Sequence, residues 1–279
     1  MKIGITGATG QLGALVVEHL KERTNASNLV ALVRSPKKVE GIEARTFDYE
    51  NSDNLSEVLK GIDTLLLISG NEIGKRASQH ENVIRAAKEA DVKWIVYTSL
   101  LKADTTSINL AGEHLATEKL LKESGIAYTI LRNGWYTENY TGSVPGAVGA
   151  GAFVGSAGNG KISSATRNDY AEAAAVVLTS ENNKNSVFEL AGDESYTLED
   201  LAQEISKQIN KEIPYNNLPE KDYCDILKGL GLPDVFAEGI ASWDVSASKG
   251  DLFYEEKTLS KLIGRPTTPL SEAVKAVLN

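Results

Sequence analysis

Three glycines recur at intervals of three residues near the start of the chain, in the segment TGATGQLG (residues 6–13). Gly7 permits a tight turn, Gly10 lets the backbone approach a pyrophosphate, and Gly13 lets a helix pack closely on a sheet. The phosphates would lie at the helix N-terminus, where free N–H groups and the helix dipole favour negative charge. The alternative is a glycine-rich turn without a ligand, which the apolar strand before it and the amphipathic helix after it disfavour. The residues expected to hold a diphosphate are Thr6, Gly7, Thr9, Gly10, Gln11, Leu12 and Gly13.

The end of the second apolar run carries a positive charge where a carboxylate would select NAD. Arg34 lies 21 residues after Gly13 and is followed by a further basic residue, Lys37. A carboxylate at this distance would hold the ribose 2′-hydroxyl of NAD, whereas arginine pairs with a 2′-phosphate through its planar fork. A solvated basic turn is the alternative, but with the glycine loop present the sequence favours NADPH. Asp48 and Tyr49, after the third run, are then expected to border the adenine.

Apolar runs alternate with helical patterns throughout the first half of the chain. Such alternation indicates right-handed crossovers and a parallel sheet. The sequence therefore predicts an α/β fold with a doubly wound parallel sheet, that is, a Rossmann fold. The predicted strands are KIGIT (2–6), NLVALVR (28–34), EARTFD (43–48), DTLLLIS (63–69), KWIVYTS (93–99) and AYTILR (127–132).

The character of the chain changes after residue 140. We predict a dinucleotide-binding domain over residues 1–140, joined by about 161–192, in which SVFELAG (186–192) adds a strand to the main sheet. Residues 141–160 and 193–279 are expected to form a smaller C-terminal α+β lobe that binds the substrate. The glycine-rich stretch 141–160 is open to two interpretations, a mobile flap over the substrate or a rigid helix-and-strand excursion.

Composition excludes several classes of protein. Hydrophobic residues at 42% and charged residues at 24% are typical of a globular protein, and the net charge of −9 disfavours a nucleic-acid-binding surface. A single cysteine, Cys224, excludes an intrachain disulfide and multi-cysteine metal sites, and we expect no metal. The longest aliphatic run, AAAVVL (173–178), is far shorter than a membrane helix, so we expect a cytoplasmic protein without a membrane span.

Several motifs resemble known proteins. TGATGQLG, Arg34 and YTSL (97–100) resemble the NmrA-like branch of the short-chain dehydrogenase/reductase superfamily. The segments LRNGWYTENY (131–140), ISSATRNDYAEAAAVVL (162–178) and ASKGDLFYEEKTLSKLIGRPTTPL (247–270) are similar to the bacterial type 2 NAD(P)H:quinone oxidoreductases and, more distantly, to triphenylmethane reductase. The resemblance implies NADPH binding and hydride transfer to a quinone. It also implies that the cofactor is lined by Ser69, Gly70, Thr98, Asn133, Gly134, Trp135 and Tyr136.

The usual catalytic pair of that superfamily, Tyr-x-x-x-Lys, is missing from the expected helix. His114 and Glu118 stand at the corresponding positions of GEHLATEKLL (112–121). Reduction of a simple ketone needs a strong proton donor, whereas a quinone gives an aromatic product and needs less help. The missing pair therefore favours a quinone-like acceptor. It also suits an NmrA-like redox sensor that binds NADP(H) without turnover, and it disfavours a nucleotide-sugar epimerase.

A group of aromatic residues follows the sixth predicted strand. Trp135, Tyr136 and Tyr140 are expected either to sandwich a planar acceptor or to lie buried beneath the C-terminal lobe. The catalytic residue is left open between Tyr136, as a hydrogen-bond donor, and His114, for which simple packing is favoured. His80 is expected to be a capping or surface residue. The partner is a small quinone-like molecule; a homodimer is compatible with the sequence, which does not fix the oligomeric state.

Overall fold

The chain folds around a seven-stranded parallel sheet in a computed structural model that describes residues 1–278. The strands of these residues are β1 (Ile3–Thr6), β2 (Leu29–Val33), β3 (Glu43–Thr46), β4 (Thr64–Leu67), β5 (Trp94–Leu100), β6 (Ala127–Asn133), β7 (Phe153–Gly155), β8 (Ser186–Leu190) and β9 (Tyr215–Asn217). The order in the main sheet is β3-β2-β1-β4-β5-β6-β8, and every neighbouring pair is parallel. The predicted doubly wound α/β fold is confirmed.

Helices cover both faces of this sheet. The helices of the described residues are α1 (Gln11–Arg23), α2 (Leu55–Leu59), α3 (Arg76–Glu89), α4 (Ala111–Ser124), α5 (Glu138–Thr141), α6 (Val144–Ala150), α7 (Arg167–Leu178), α8 (Leu198–Ile209), α9 (Glu220–Gly229), α10 (Asp234–Ser248), α11 (Thr258–Ile263) and α12 (Leu270–Leu278). Helices α1, α7 and α11 share one core with the sheet, and α2, α3 and α4 share the other.

Burial on both faces explains why the strands appear as unbroken apolar runs. All five residues of β2 are buried: Leu29 belongs to the core beneath α1, whereas its neighbour Val30 belongs to the core on the opposite face. Because successive side chains of a strand point to opposite faces, a strand covered on both sides has no polar positions.

The strand order creates a crevice at one edge of the sheet. Strand β1 lies between β2 and β4, so the chain winds outward in one direction through β2 and β3 and in the other from β4 onward. Ligands of open α/β sheets bind beyond the carboxyl ends of the strands at such a reversal. The loop that follows β1 therefore lies at the point where a ligand is expected.

A smaller group of elements packs at the C-terminal side of the chain. Strand β7 pairs in parallel with β9, with Phe153 opposite Tyr215, and both contribute to an apolar core shared with α6, α8 and α12. Residues 141–160 contain the end of α5, helix α6 and strand β7, and movement of this segment over a substrate stays a prediction. Strand β8 lies beside β6, which confirms that residues 186–192 contribute a strand to the main sheet.

Three further features of residues 1–278 bear on the sequence predictions. No helix of this part of the chain combines the length and the apolar character that a bilayer-crossing segment needs. Within the same residues, no group of three or more His, Cys, Asp or Glu side chains is arranged to hold a metal ion. Cys224 is a free, buried thiol.

Candidate active site

A cleft of about 630 Å³ opens at the carboxyl edge of the main sheet. It extends from the ends of β2 and β3 across the loop after β1 to the segment that follows β6. The predicted site residues that line this cleft are Gly7, Thr9, Gly10, Gln11, Leu12, Gly13, Arg34, Asp48, Tyr49, Ser69, Gly70 and Tyr136. The predicted site residues outside its lining are Thr6, Thr98, Asn133, Gly134, Trp135 and Tyr140.

The glycine loop is a tight turn in which Gly13 has no room for a side chain. Gly7 has a φ of +59°, and the Gly10 backbone N–H donates to the Gly7 carbonyl at 2.8 Å. A Cβ atom on Gly13 would lie only 2.2 Å from the Gly7 carbonyl oxygen. The turn is therefore closed tightly upon itself, and its three glycines present backbone without side chains.

Helix α1 begins immediately after this turn and presents its N-terminus to the cleft. Gly10 is the N-cap, makes no side-chain cap hydrogen bond, and is followed by no acidic residue in the first turn. The first backbone N–H groups of a helix have no partner within it. An anion in the cleft would therefore meet unpaired donors and the positive end of the helix dipole.

Buried hydroxyl groups brace the cleft floor from below. Thr6 is fully buried; its Oγ1 donates to the Leu66 carbonyl at 3.0 Å and accepts from the Ile68 backbone N–H at 2.9 Å. The Tyr49 hydroxyl lies 2.6 Å from Thr6 Oγ1 and 2.8 Å from the Ile68 carbonyl oxygen. Burial raises the pKa of Tyr49. Thr6 therefore supports the cleft by joining β1 to β4.

His80 contacts the cleft from within the protein rather than from its surface. The expectation of a surface or capping role was wrong, because His80 is fully buried and its Nε2 accepts from the Gly70 backbone N–H at 3.0 Å. Nδ1 therefore carries the proton and donates to Thr117 Oγ1 at 2.9 Å. Burial lowers the pKa of His80 to about 3, which keeps Nε2 available as an acceptor. Thr98 acts similarly, since its Oγ1 accepts from the Ser69 backbone N–H at 2.9 Å.

Arg76 completes this wall. Its Nε donates to the Gly70 carbonyl, while its Nη1 is 3.9 Å from Glu113 and buried without a hydrogen-bond partner among the described residues. Burial lowers the pKa of Arg76. Arg76 thus lines the cleft beside Gly70 with a buried nitrogen that has no hydrogen-bond partner among the described residues.

Arg34 occupies the cleft end beside β2 and β3. It is exposed and makes no hydrogen bond or ion pair with the other residues that the structure describes, so its guanidinium is available to a ligand. Asp48 and Tyr49 line the same end. A bare loop, unpaired helix donors and a free guanidinium fit the pyrophosphate and 2′-phosphate of NADPH.

Tyr136 occupies the other end of the cleft, after β6. Its ring meets Tyr170 edge-on, with centroids 5.4 Å apart, and the guanidinium carbon of Arg167 lies 4.5 Å from its centroid. Burial raises the pKa of Tyr136, and a hydrogen bond with the Asn133 side chain partly offsets that rise. Tyr136 is thus held between two side chains and is a weak acid.

The remaining aromatic candidates lie in the core of the smaller region. Trp135 packs edge-on against Trp243, with the ring centroids 5.5 Å apart. The buried Tyr140 hydroxyl donates to Asp244 Oδ1 at 3.1 Å, and burial raises the pKa of Asp244 to about 6. Gly134 is packed closely, since a Cβ there would lie 2.8 Å from the Tyr170 hydroxyl. Contact of Trp135 and Tyr140 with a substrate stays a prediction.

The two helix positions that lack the tyrosine–lysine pair are filled by buried groups. His114 Nδ1 lies 2.7 Å from the Tyr97 hydroxyl, and burial lowers the pKa of His114 to about 3. Glu118 forms an ion pair with Arg132 at 2.8 Å and accepts from Ser99 at 2.7 Å. Neither His114 nor Glu118 lines the cleft.

Sequence reasoning missed Arg76 and Arg167, which line the cleft from the first turns of α3 and α7. The capping pair Thr166–Asp169, which marks the start of α7, was a usable signal for Arg167. Its orientation toward Tyr136 depends on packing between distant segments, which no local pattern specifies.

Residues 7–181 match the family model described as NAD(P)H-binding, and the chain belongs to that family. Its relatives include quinone oxidoreductase 2 of Escherichia coli, 54% identical over 99% of both chains. The solved structure of the NADPH-dependent quinone oxidoreductase of E. coli in complex with NADPH superimposes with a TM-score of 0.97, covering 99% of this chain and 100% of that one. Triphenylmethane reductase of Citrobacter sp. is 38% identical, with a TM-score of 0.95 and coverage of 100% and 99%. The resemblance predicted from the sequence is confirmed.

Proposed function

We propose that this chain is an NADPH-dependent oxidoreductase that transfers hydride to a quinone or a similar planar acceptor. The observation that carries the proposal is the cleft itself, which joins a bare glycine turn and a free guanidinium at Arg34 to a tyrosine-lined end beyond β6. The full-length similarity to an NADPH-dependent quinone oxidoreductase supports this function over a sensor without turnover.

Each part of the cleft has a proposed task. The backbone N–H groups of Gln11 to Gly13 hold the pyrophosphate, and Arg34 pairs with the 2′-phosphate. Ser69 and Gly70 line the cofactor, with Thr98 and His80 fixing their backbone N–H groups. When bound, NADPH supplies the hydride from C4 of its nicotinamide.

The protein's remaining contribution is to place the acceptor and exclude water. No tyrosine–lysine pair lines the cleft within residues 1–278, and His114 is buried away from it. An acceptor whose reduced form is aromatic needs no strong acid, so close positioning of the two rings accounts for most of the rate. This requirement favours a quinone over a simple ketone.

Several finer properties belong to the same proposal. We expect the protein to act in the cytoplasm and, because of its net charge of −9, to interact with small molecules rather than nucleic acid. A homodimer is compatible with the sequence, which does not fix the oligomeric state. The division into a dinucleotide-binding domain (1–140 and about 161–192) and a substrate lobe (141–160 and 193–279) stays a prediction.

Rapid mixing of the purified protein with NADPH and a benzoquinone tests the function. We expect the near-ultraviolet absorbance of NADPH to fall faster than without protein, and more slowly with NADH in its place. Binding of NADPH without acceptor-dependent oxidation would identify a sensor instead, and equal rates with NADH would contradict the role of Arg34.

A further inference from the structure

A second cleft arginine, Arg167, lies at the end opposite Arg34. It is the first residue of α7, whose start is fixed by reciprocal hydrogen bonds between Thr166 and Asp169. Its guanidinium carbon lies 4.5 Å from the centroid of the Tyr136 ring. At this distance the cation is attracted by the electron-rich face of the ring, which fixes the guanidinium in the cleft wall.

Neighbouring polar groups orient this guanidinium without using all its donors. Nη2 donates to Asn139 Oδ1 at 2.9 Å, and Nη1 lies 3.4 Å from Glu138 Oε2. The Glu138 carboxylate also accepts from the Arg167 backbone N–H at 2.9 Å and 3.1 Å, so it is bound to the start of the helix. Guanidinium offers five N–H donors, and among the described residues only Nη2 makes a hydrogen bond. The side chain is 16% exposed and lines the cleft, so Nε is available to a ligand, and Nη1 is engaged only by the 3.4 Å ion pair with Glu138.

The strand order places this group at the reacting end of the cleft. Tyr136 follows β6, which lies on the opposite side of β1 from β2, the strand that precedes Arg34. A dinucleotide spans the reversal of strand order, with its adenosine half beside β2 and β3. Its nicotinamide half, and the acceptor stacked on it, are therefore expected beside Tyr136 and Arg167.

Tyr136 is a poor alternative for contact with a charged acceptor. Arg167 covers one face of its ring, Tyr170 contacts the ring edge-on, and burial raises the pKa of its hydroxyl, so Tyr136 carries no positive charge to offer an anion. His114 is occupied by Tyr97 and does not line the cleft. Of the described arginines that line the cleft, Arg167 is the one in contact with Tyr136.

We propose that Arg167 is a catalytic residue that donates hydrogen bonds to an acceptor oxygen and stabilises the negative charge that hydride transfer creates there. This inference rests on the proposed function. In the step, the nicotinamide C4–H bond breaks, and its hydrogen joins one quinone oxygen together with the electron pair. The second oxygen becomes a phenolate beside Arg167, and a solvent proton then joins it. NADPH, one proton and a quinone thus give NADP⁺ and a hydroquinone.

Arg167→Met tests the role, with Arg85→Met as the matched control on the exposed surface of α3, where Arg85 contacts only Asn82 among the described residues. We expect Arg167→Met to lower kcat/KM for benzoquinone by about 100-fold while the Kd for NADPH changes by less than about threefold, as for loss of one donor to a developing oxyanion. Arg167→Lys keeps the positive charge but not the planar, forked guanidinium, so its kcat/KM for benzoquinone should fall by about tenfold. Unchanged kcat/KM, or an equal loss of NADPH affinity, would overturn the proposal.

A binding probe gives a readout that does not depend on turnover. The phenol and phenolate forms of 4-nitrophenol differ in colour, so their ratio on the NADP⁺ complex reports stabilisation of the anion. We expect the apparent pKa of bound 4-nitrophenol to be lower by about one unit, or about tenfold in the anion's relative affinity, in the wild-type protein than in Arg167→Met. Equal pKa values in the two proteins would refute the contact.

The two experiments separate failure of the inference from failure of the proposed function. If the wild-type protein does not oxidise NADPH with any quinone, the proposed function fails, whatever the variants do. If the wild-type protein turns over and Arg167→Met matches Arg85→Met, the function stands and the role of Arg167 is wrong.

Discussion

The two ends of the cleft are built in different ways. The end beside β2 and β3, where the adenosine half of the cofactor is proposed to lie, is called the adenosine end. There Arg34 extends from the end of β2 into solvent and has no partner among the described residues. At the other end, Arg167 is fixed by Tyr136, Glu138 and Asn139. An exposed group binds a ligand charge after losing its own freedom, whereas a group already fixed loses little on binding. The first end is therefore suited to affinity and cofactor choice, and the second to geometry.

The loop between the two ends should show the largest effect. Gly13→Val places a side chain 2.2 Å from the Gly7 carbonyl oxygen, where the backbone would have to move. We expect NADPH affinity to fall by about 100-fold or more, equivalent to about 3 kcal/mol, because the turn must open at the phosphate site. Calorimetric titration measures the change. Gly149→Ala, in open space on α6, is the control and should leave affinity unaltered; equal affinities in all three proteins would contradict a phosphate site here.

The adenosine end is tested by reversing its charge. Arg34→Asp removes the 2′-phosphate partner and adds repulsion, so we expect NADPH affinity to fall by about 30-fold, or about 2 kcal/mol, while NADH affinity holds or rises. Lys211→Asp makes the same charge change in the exposed turn after α8 and should alter neither affinity. Both Kd values follow from fluorescence titration, and an unchanged NADPH-to-NADH ratio in Arg34→Asp would exclude this guanidinium as the selector.

Acid should weaken the wall that joins the two ends. His80 and His114 have folded-state pKa values of about 3, below the ordinary value of 6.5, so the unfolded chain binds more protons between these limits. The contribution of the two neutral histidines to the free energy of unfolding is therefore fully present above about pH 6.5. It declines as the pH falls, by about 2 kcal/mol per histidine at about pH 5. Asp244, whose pKa is raised to about 6, acts in the opposite direction over about pH 4–6.

Urea unfolding at neutral and acidic pH measures this effect. In His114→Gln, whose side-chain oxygen can still accept from Tyr97, we expect the stability lost between about pH 6.5 and pH 5 to be smaller by about 2 kcal/mol than in the wild-type protein. Identical pH slopes for the two proteins would mean that His114 is not held neutral by burial.

The smallest expected effect is that of a substitution at Tyr140, which tests whether this residue contacts the acceptor or only packs in the core of the smaller region. Tyr140→Phe removes a buried hydrogen bond to Asp244, which should cost about 1–2 kcal/mol of unfolding free energy. If Tyr140 only supports the core, KM for benzoquinone should stay within about twofold of the wild-type value, a difference of about 0.4 kcal/mol. A much larger rise in KM would show that Tyr140 contacts the acceptor, as the sequence suggested.

Local patterns were sufficient for the adenosine end and for the fold. The strand that ends at Thr6, the turn at Gly7 and the helix that begins at Gln11 are neighbours in the chain, so their geometry follows from glycine spacing and apolar periodicity. The same holds for β2 and Arg34. In these segments the residues that create the turn and the strand end also line the cleft.

Tertiary structure alone decided the other end. Arg167 and Tyr136 are separated in the chain by two helices and a strand, and they meet because a single bridge pairs Tyr136 with Ala165 while α7 packs on α1. His80 resembles a surface helix residue in the sequence, yet α4 covers it and Gly70 donates to it. Neighbouring residues along a chain determine turns and strands, but which side chains meet across a cleft depends on how separate segments pack. The sequence by itself therefore determined the sheet, the glycine turn and the basic residue at the end of β2 that is proposed to select the cofactor. Packing between distant segments decided which side chains meet at the other end of the cleft.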